Sequence, residues 1–377
     1  MIYMEYIITF AVAFIVAFSA TPAVKKLAFK VGAIDVPKDE RRMHKKPIAR
    51  LGGLAIVAGF VIAMFFSIVG MSFDLTGVIG IFLTMKQFIG FCFGILLILI
   101  AGVTDDIKPI RPKTKLAFQV AAALIITLTG TRIETVTNPF SKEGISVLPF
   151  YLSYPVTLFW IIGITNAVNL IDGLDGLAAG VTSISSLSLF SVSIILGRWE
   201  VAIVTIALAG ATLGFLPYNF NPAKIFMGET GAAFLGFTLG VISIPGTMKS
   251  FTVITVAIPL LVLGLPIFDT IFAIVRRLLT GKPIMEADRG HLHHRLVDMA
   301  LTQKQSVLIM YILSAVLGLC AIVLADKGVL SAILLILLLS VFIVGGVKFM
   351  SEMNDKEESE LDSSKKTEKV LPENNKL

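Results

Sequence analysis

Apolar stretches long enough to cross a bilayer follow one another along almost the whole chain of 377 residues. Hydrocarbon offers bare amides no partner, so a segment that crosses it must close its own backbone hydrogen bonds. Runs of roughly 17–25 residues do this as helices. Length and hydropathy place about eleven spans within 4–24, 51–70, 88–104, 115–130, 154–168, 177–196, 200–216, 232–248, 252–275, 306–325 and 328–347. The expected fold is therefore all-α, a polytopic integral membrane helical bundle. With 56% apolar and only 15% charged residues, a soluble globular domain is excluded. Polar residues interrupt the pattern most clearly at 166–176 and 217–231.

Charge orients the bundle. The apolar run 7–20 has no basic residue before it, and Lys25, Lys26 and Lys30 follow it. That favours a retained first span with its N-terminus outside over a cleaved signal peptide. The loops then falling inside are 25–50, 105–115, 169–176, 217–231 and 276–305, which carry 20 lysines and arginines against 6 in the outer loops. Inner loops are the basic ones in membrane proteins, so the basic balance is topological and not a nucleic-acid footprint. All four histidines fall inside, together with Asp105, Asp106, Asp172, Asp175 and Glu229. Ionisable residues collected on one face point to an active site on the cytoplasmic side. The catalytic domain is read as 1–350. The tail 351–377, with eight acids and five lysines and few apolar residues, is expected to be disordered.

The densest polar stretch is NAVNLIDGLDGLAAG, 166–180. Asn166, Asn169, Asp172 and Asp175 are costly in a membrane segment unless they face water, a metal or a polar ligand. Asp172 and Asp175 share a face at helical spacing, and Gly173 and Gly176 leave backbone open to close approach. A chance polar turn is the bland alternative. Asp105 and Asp106 end another apolar run; adjacent residues on a helix diverge by about 100°, so one acid can serve a metal while the other handles a proton. Interface anchoring explains such a pair equally well. Glu229, bracketed by Gly228 and Gly231, suits a hard cation such as Mg²⁺, or simply an acid in a first helical turn. His291, His293 and His294 beside Arg289 and Arg295 read as phosphate or nucleotide contacts, with an interfacial basic helix as the alternative. Asp269 lies within a span, where a functional role and a buried partnership with a neighbouring helix are equally open. Cys92 and Cys320 read as packed thiols.

Acids for a divalent cation, bases for phosphates and no P-loop or kinase motif suit phosphoryl transfer from a soluble nucleotide to a lipid-borne acceptor. In that context five motifs are informative: HKKPIARLGGLAI, GVTDDIKPIRPKTKL, NAVNLIDGLDGLAAG, FMGETGAAFLGF and HLHHRL. In this order they resemble those of the polyprenyl-phosphate N-acetylhexosamine-1-phosphate transferases (glycosyltransferase family 4), over roughly 25–296. The H-x-H-H pattern is similar to the WecA/TagO-type branch rather than to the muramoyl-pentapeptide branch with three consecutive histidines.

The resemblance implies transfer of N-acetylglucosamine 1-phosphate from UDP-N-acetylglucosamine to undecaprenyl phosphate, releasing UMP, in a multi-pass protein of the bacterial cytoplasmic membrane. It implies catalytic roles for Asp105, Asp106, Asp172 and Asp175, with Glu229 and Asp105 at Mg²⁺ (or Mn²⁺). Substrate contacts are expected from Arg289, His291, His293 and His294, with Asn166 and Asn169 beside them and Lys45, Arg50 and Lys115 neutralising phosphate. The family commonly has Asp where this chain has Glu229, and Ser where it has Ala232. Rival readings are the same fold acting on another UDP-sugar or on UDP-MurNAc-pentapeptide, and a secondary transporter, whose ionisable groups would lie near the midplane. The sequence leaves a homodimer open.

Overall fold

A computed structural model describes residues 2–37, 46–70, 84–137, 145–244, 254–281, 290–299, 301–331, 333 and 335. His44, Lys45, Arg289, the 351–377 tail and most of the 328–347 span lie outside the described residues. Two compact units divide the chain, Met1–Asp326 and Lys327–Leu377; everything below concerns the first. Its helices are α1 (Ile2–Val31), α2 (Gly53–Gly70), α3 (Met85–Ile107), α4 (Pro112–Leu128), α5 (Phe150–Leu170), α6 (Leu177–Ile195), α7 (Trp199–Asn219), α8 (Gly228–Ile242), α9 (Ile254–Val262), α10 (Gly264–Leu279), α11 (Leu292–Asp298) and α12, which begins at Gln303.

Among the described residues six helices are long and apolar enough to cross a membrane: α1, α3, α5, α6, α7 and α12. They make this a helical, multi-pass membrane protein. Two shorter apolar helices, Gly53–Ile68 and Gly228–Ile242, accompany them. The all-α expectation needs one amendment, because two short antiparallel ladders join helices. Ile34–Asp35 (β1) pairs with Ile48–Ala49 (β2), and Thr135–Thr137 (β3) with Ile145–Val147 (β4). Strands of two or three residues are too short to show an alternating pattern in the sequence.

α8 is the hub. Every residue from Thr230 to Ile242 is buried, and the helix packs against α2, α3 and α5. Such closeness needs small residues where the helices cross. A Cβ on Gly53 would run into the backbone of Gly231, and one on Gly102 would lie 2.6 Å from the Cα of Thr230. Around this centre α1 packs on α2 and α7, and α6 packs on α7.

The expected span 252–275 is instead broken at Leu263 into α9 and α10. Pro266 has no N–H to give to the carbonyl of Val262, which a continuous helix would require. The Ser185 hydroxyl of α6 donates to that carbonyl instead, at 2.9 Å and fully buried. A neighbouring helix thus repairs the backbone group that the proline leaves open. Of the two cysteines read as packed thiols, Cys320 is buried, but Cys92 is exposed on α3, since an apolar helix facing lipid exposes its side chains as readily as it buries them.

Candidate active site

One end of the bundle gathers the C-termini of α3, α5 and α7 and the N-termini of α4, α6 and α8. Asp105 and Asp106 close α3, and both are buried. Successive residues point different ways around the helix, and the two acids meet different partners. Asp106 turns to α8: its Oδ1 accepts from the Glu229 N–H at 2.9 Å, and its Oδ2 from the Thr230 N–H at 3.0 Å and the Thr230 hydroxyl at 2.7 Å. A carboxylate of one helix thus caps another, where orphan N–H groups and the helix dipole favour negative charge. Gly228, at φ 72°, makes the turn into α8, and a Cβ there would strike the Arg50 carbonyl and the Asp106 carboxylate. Arg50 is held in place because its segment pairs with 226–227 through Phe226 N–H to Ala49 O at 2.8 Å and Gly52 N–H to Phe226 O at 2.9 Å. Its guanidinium lies 3.6 Å from Asp106.

Asp105 turns the other way. Its Oδ1 accepts from the Ile110 N–H at 2.9 Å and its Oδ2 from the Lys115 ammonium at 2.8 Å. Lys115, in the first turn of α4, also donates to Glu229 Oε2 at 2.9 Å. The other Glu229 oxygen accepts from Asn169 Nδ2 at 2.6 Å. Asn166, one turn earlier on α5, donates to Gln119 Oε1 of α4 at 2.7 Å and to its own Ile162 carbonyl at 2.8 Å. Asn166 therefore ties α5 to α4, while Asn169 orients Glu229.

The turn 171–176 joins α5 to α6. Burial, with the carboxylates of Asp106 and Glu229 facing it, pushes the Asp172 carboxyl up to about 7. Asp175 looks away from this group: its Oδ2 accepts from Asn221 Nδ2 at 3.0 Å and from the Ala223 N–H at 2.9 Å, and Asn221 also donates to Gln303 of α12 at 2.6 Å. The Tyr311 hydroxyl of α12 donates to the Gly176 carbonyl at 2.6 Å. The backbone left open by Gly173 and Gly176 is thus met by protein side chains, Tyr311 at Gly176 and His293 at Gly173.

His293 belongs to the histidine segment. It is buried, and its Nδ1 has no hydrogen-bond partner among the described residues. Burial and the neighbouring His294 push its pKa down to about 4, so it is neutral at physiological pH. His291 stacks on His293 with ring centroids 5.7 Å apart, and His293 lies 4.3 Å from His294. Asp269 of α10 organises the segment: its Oδ1 accepts from the Leu292 N–H at 2.7 Å, and its Oδ2 lies 3.0 Å from His291 Nδ1. The buried acid of the span is therefore the partner of the histidine helix.

Among the described residues no three acidic, histidine or cysteine side chains form a metal cage by themselves. Asp105 and Glu229 each aim one oxygen at a single point, at present that of the Lys115 ammonium. Two carboxylates, completed by phosphate oxygens and water, match the donor chemistry of Mg²⁺. With a divalent cation between these carboxylates, such an end of a bundle could take a polyanion and offset its charge.

A Bacillus subtilis (strain 168) protein described as a probable undecaprenyl-phosphate N-acetylglucosaminyl 1-phosphate transferase is 37% identical over 336 residues, 89% of each chain. The model of glycosyl transferase family 4 matches residues 88–247. The chain belongs to glycosyl transferase family 4. A decaprenyl-phosphate N-acetylglucosaminephosphotransferase of Mycolicibacterium smegmatis is 31% identical over 79% of this chain and 77% of its own. The undecaprenyl-phosphate alpha-N-acetylglucosaminyl 1-phosphate transferase of Escherichia coli (strain K12) is 26% identical over 78% and 77% respectively.

The family match takes in Asp105, Asp106, Lys115, Asn166, Asn169, Asp172, Asp175 and Glu229. Arg50 and the histidine segment lie outside it in sequence, yet Arg50 reaches Asp106 and His293 reaches Gly173. Thr230, Gln119, Asn221, Gln303 and Tyr311 also hold this end of the bundle together, and sequence reasoning assigned them no part in the site. Neutral or uncharged residues in or beside apolar helices give little signal. Asp269 did stand out, but only the fold reveals its partner.

Proposed function

We propose that this family 4 protein transfers N-acetylglucosamine 1-phosphate from UDP-N-acetylglucosamine to undecaprenyl phosphate, releasing UMP. The reaction would take place at the inner face of a bacterial cytoplasmic membrane. The product would start a cell-envelope glycan such as a teichoic acid or an O-antigen. The observation that carries the reading is the convergence of Asp105 and Glu229, from α3 and α8, on one cation position, in a chain whose relatives are named for this transfer.

Asp105 and Glu229 would hold Mg²⁺, with Mn²⁺ as a substitute. When bound, the ion offsets negative charge on the diphosphate and the departing UMP. Glu229 stands where the family commonly has Asp, and its reach brings it to both Lys115 and Asn169. Asp105 would activate the lipid phosphate or attack as a nucleophile, displacing UMP. Asp172, in the loop facing Asp106 and Glu229, is the group suited to exchange a proton near neutral pH. Asp106 and Asp175 act by fixing what surrounds the reacting groups, the first turn of α8 and the 221–223 loop. Arg50, Lys115, His291, His293 and His294 would contact the phosphates, and the same role is proposed for Lys45 and Arg289, which lie outside the described residues. His293, being neutral, contributes shape and a hydrogen bond rather than charge.

The test is UMP release by the purified protein across a panel of UDP-sugars. UMP is expected from UDP-N-acetylglucosamine only when undecaprenyl phosphate and Mg²⁺ are both present, and Asp105→Asn should abolish it. Release from a different UDP-sugar alone would replace the donor. Movement of substrate across vesicles without UMP release would replace the reaction with transport.

A further inference from the structure

Lys115 occupies the place where the two candidate metal ligands meet, and it does not hold them there. Asp105 is fixed independently by the Ile110 N–H on its other oxygen, and Glu229 by Asn169 on its own. Each acid has one oxygen committed to a fixed protein donor and one aimed at the ammonium, at 2.8 and 2.9 Å. Asp105 is buried and Glu229 half-buried, with side-chain exposures of 6% and 13%, whereas Lys115 is 27% exposed. Its four-carbon stem is flexible and its charge compact. One positive charge faces two carboxylates. A divalent ion would balance this position better than an ammonium, but both cannot occupy it.

We propose that Lys115 is a resident substitute for the divalent cation. It fills the site between Asp105 and Glu229 while the metal is away and is displaced when the metal enters. The freed ammonium then takes a phosphate oxygen of the nucleotide diphosphate, so metal and nucleotide strengthen each other's binding through this one side chain. Coupling between two ligands is reciprocal and commonly amounts to about 5–150-fold. The inference deepens the proposed function and rests on that reading for the position of the metal.

The experiment is Mn²⁺ binding to the purified full-length protein, followed by the electron paramagnetic resonance of free Mn²⁺, with and without UDP. Wild-type protein should bind Mn²⁺ weakly alone and about tenfold more tightly with UDP. Lys115→Met leaves both acids oriented and unneutralised, so it should bind Mn²⁺ alone at least about fivefold more tightly than wild type. UDP should add little further. Lys115→Arg, which keeps a cation in place, should behave like wild type. Unchanged or weaker Mn²⁺ binding in Lys115→Met, or full survival of the UDP effect, would overturn the exchange.

A second measurement needs no variant. Adding Mg²⁺ should raise the reactivity of the Lys115 amine toward an acylating reagent, read by mass spectrometry, and adding UDP should lower it again. Indifference to Mg²⁺ would equally overturn the exchange. None of these readouts requires turnover. Tightened Mn²⁺ binding in Lys115→Met, with no UMP release by the wild-type protein, would leave the exchange standing and remove the proposed reaction. UMP release with unaltered Mn²⁺ binding would do the reverse.

Discussion

Neighbouring acids in this site do different work because their partners differ. Asp106 spends both oxygens on the start of α8, Asp105 keeps one for the cation position, and Asp172 is raised by burial and then by the acids around it. Titration should separate two of these residues in metal-free protein. His293, lowered to about 4 in the folded state, takes up its proton near 6.5 once unfolded. Its contribution to stability is therefore present above about 6.5 and lost as pH falls toward 4. Asp172, raised to about 7 from about 4 when unfolded, has the opposite sign. Its contribution is full below about 4 and lost as pH rises through 7. With a chelator present, apparent unfolding midpoints from pH 4 to 7.5 should rise more steeply with pH in Asp172→Asn than in wild type. In His293→Asn they should rise less steeply or fall. Superimposable profiles for all three proteins would mean that neither group is shifted.

At the scale of elements, helices are stopped and joined by side chains from other helices. The α8 N-terminus is capped by an acid of α3, and the broken end of α9 is repaired by Ser185 of α6. Ser185→Ala should leave the Val262 carbonyl buried without a donor, lowering stability by about 1 kcal/mol. A lower thermal midpoint in detergent is the readout, and Ser185→Thr, which keeps the hydroxyl, should restore it. If alanine and threonine unfold alike, the hydroxyl does not hold the break. The break itself was only half legible. Pro259 and Pro266 are plain in the sequence, but proline in a membrane helix can kink or interrupt it. The supply of a donor from α6 decides between the two.

Across the whole molecule, Lys108 follows α3 at the site end, and Glu134 lies beyond the far end of α4. Both are exposed. Single cysteines at these positions, in a protein with Cys92 and Cys320 replaced, should report the orientation that loop charge predicts. In intact cells a membrane-impermeant maleimide should label Glu134→Cys and spare Lys108→Cys. The reverse pattern would put the acids outside and remove access to a cytosolic nucleotide.

The sequence alone determined that the chain is a membrane helical protein and which ionisable residues stand apart from their apolar surroundings. In so apolar a chain every acid or histidine carries a desolvation cost and stands out, as Asp105, Asp172, Glu229 and His291 did. Tertiary structure alone decided their pairings: Lys115 with Glu229, 114 residues apart, Asp175 with Asn221, and Asp269 with the histidine helix. It also decided that α8, as apolar as its neighbours, is enclosed by protein rather than lipid. Hydropathy is a property of each segment by itself and reads the same against lipid or against another helix. Which helix ends meet depends on how close their backbones can come, and contacts such as Gly53 against Gly231 set that distance.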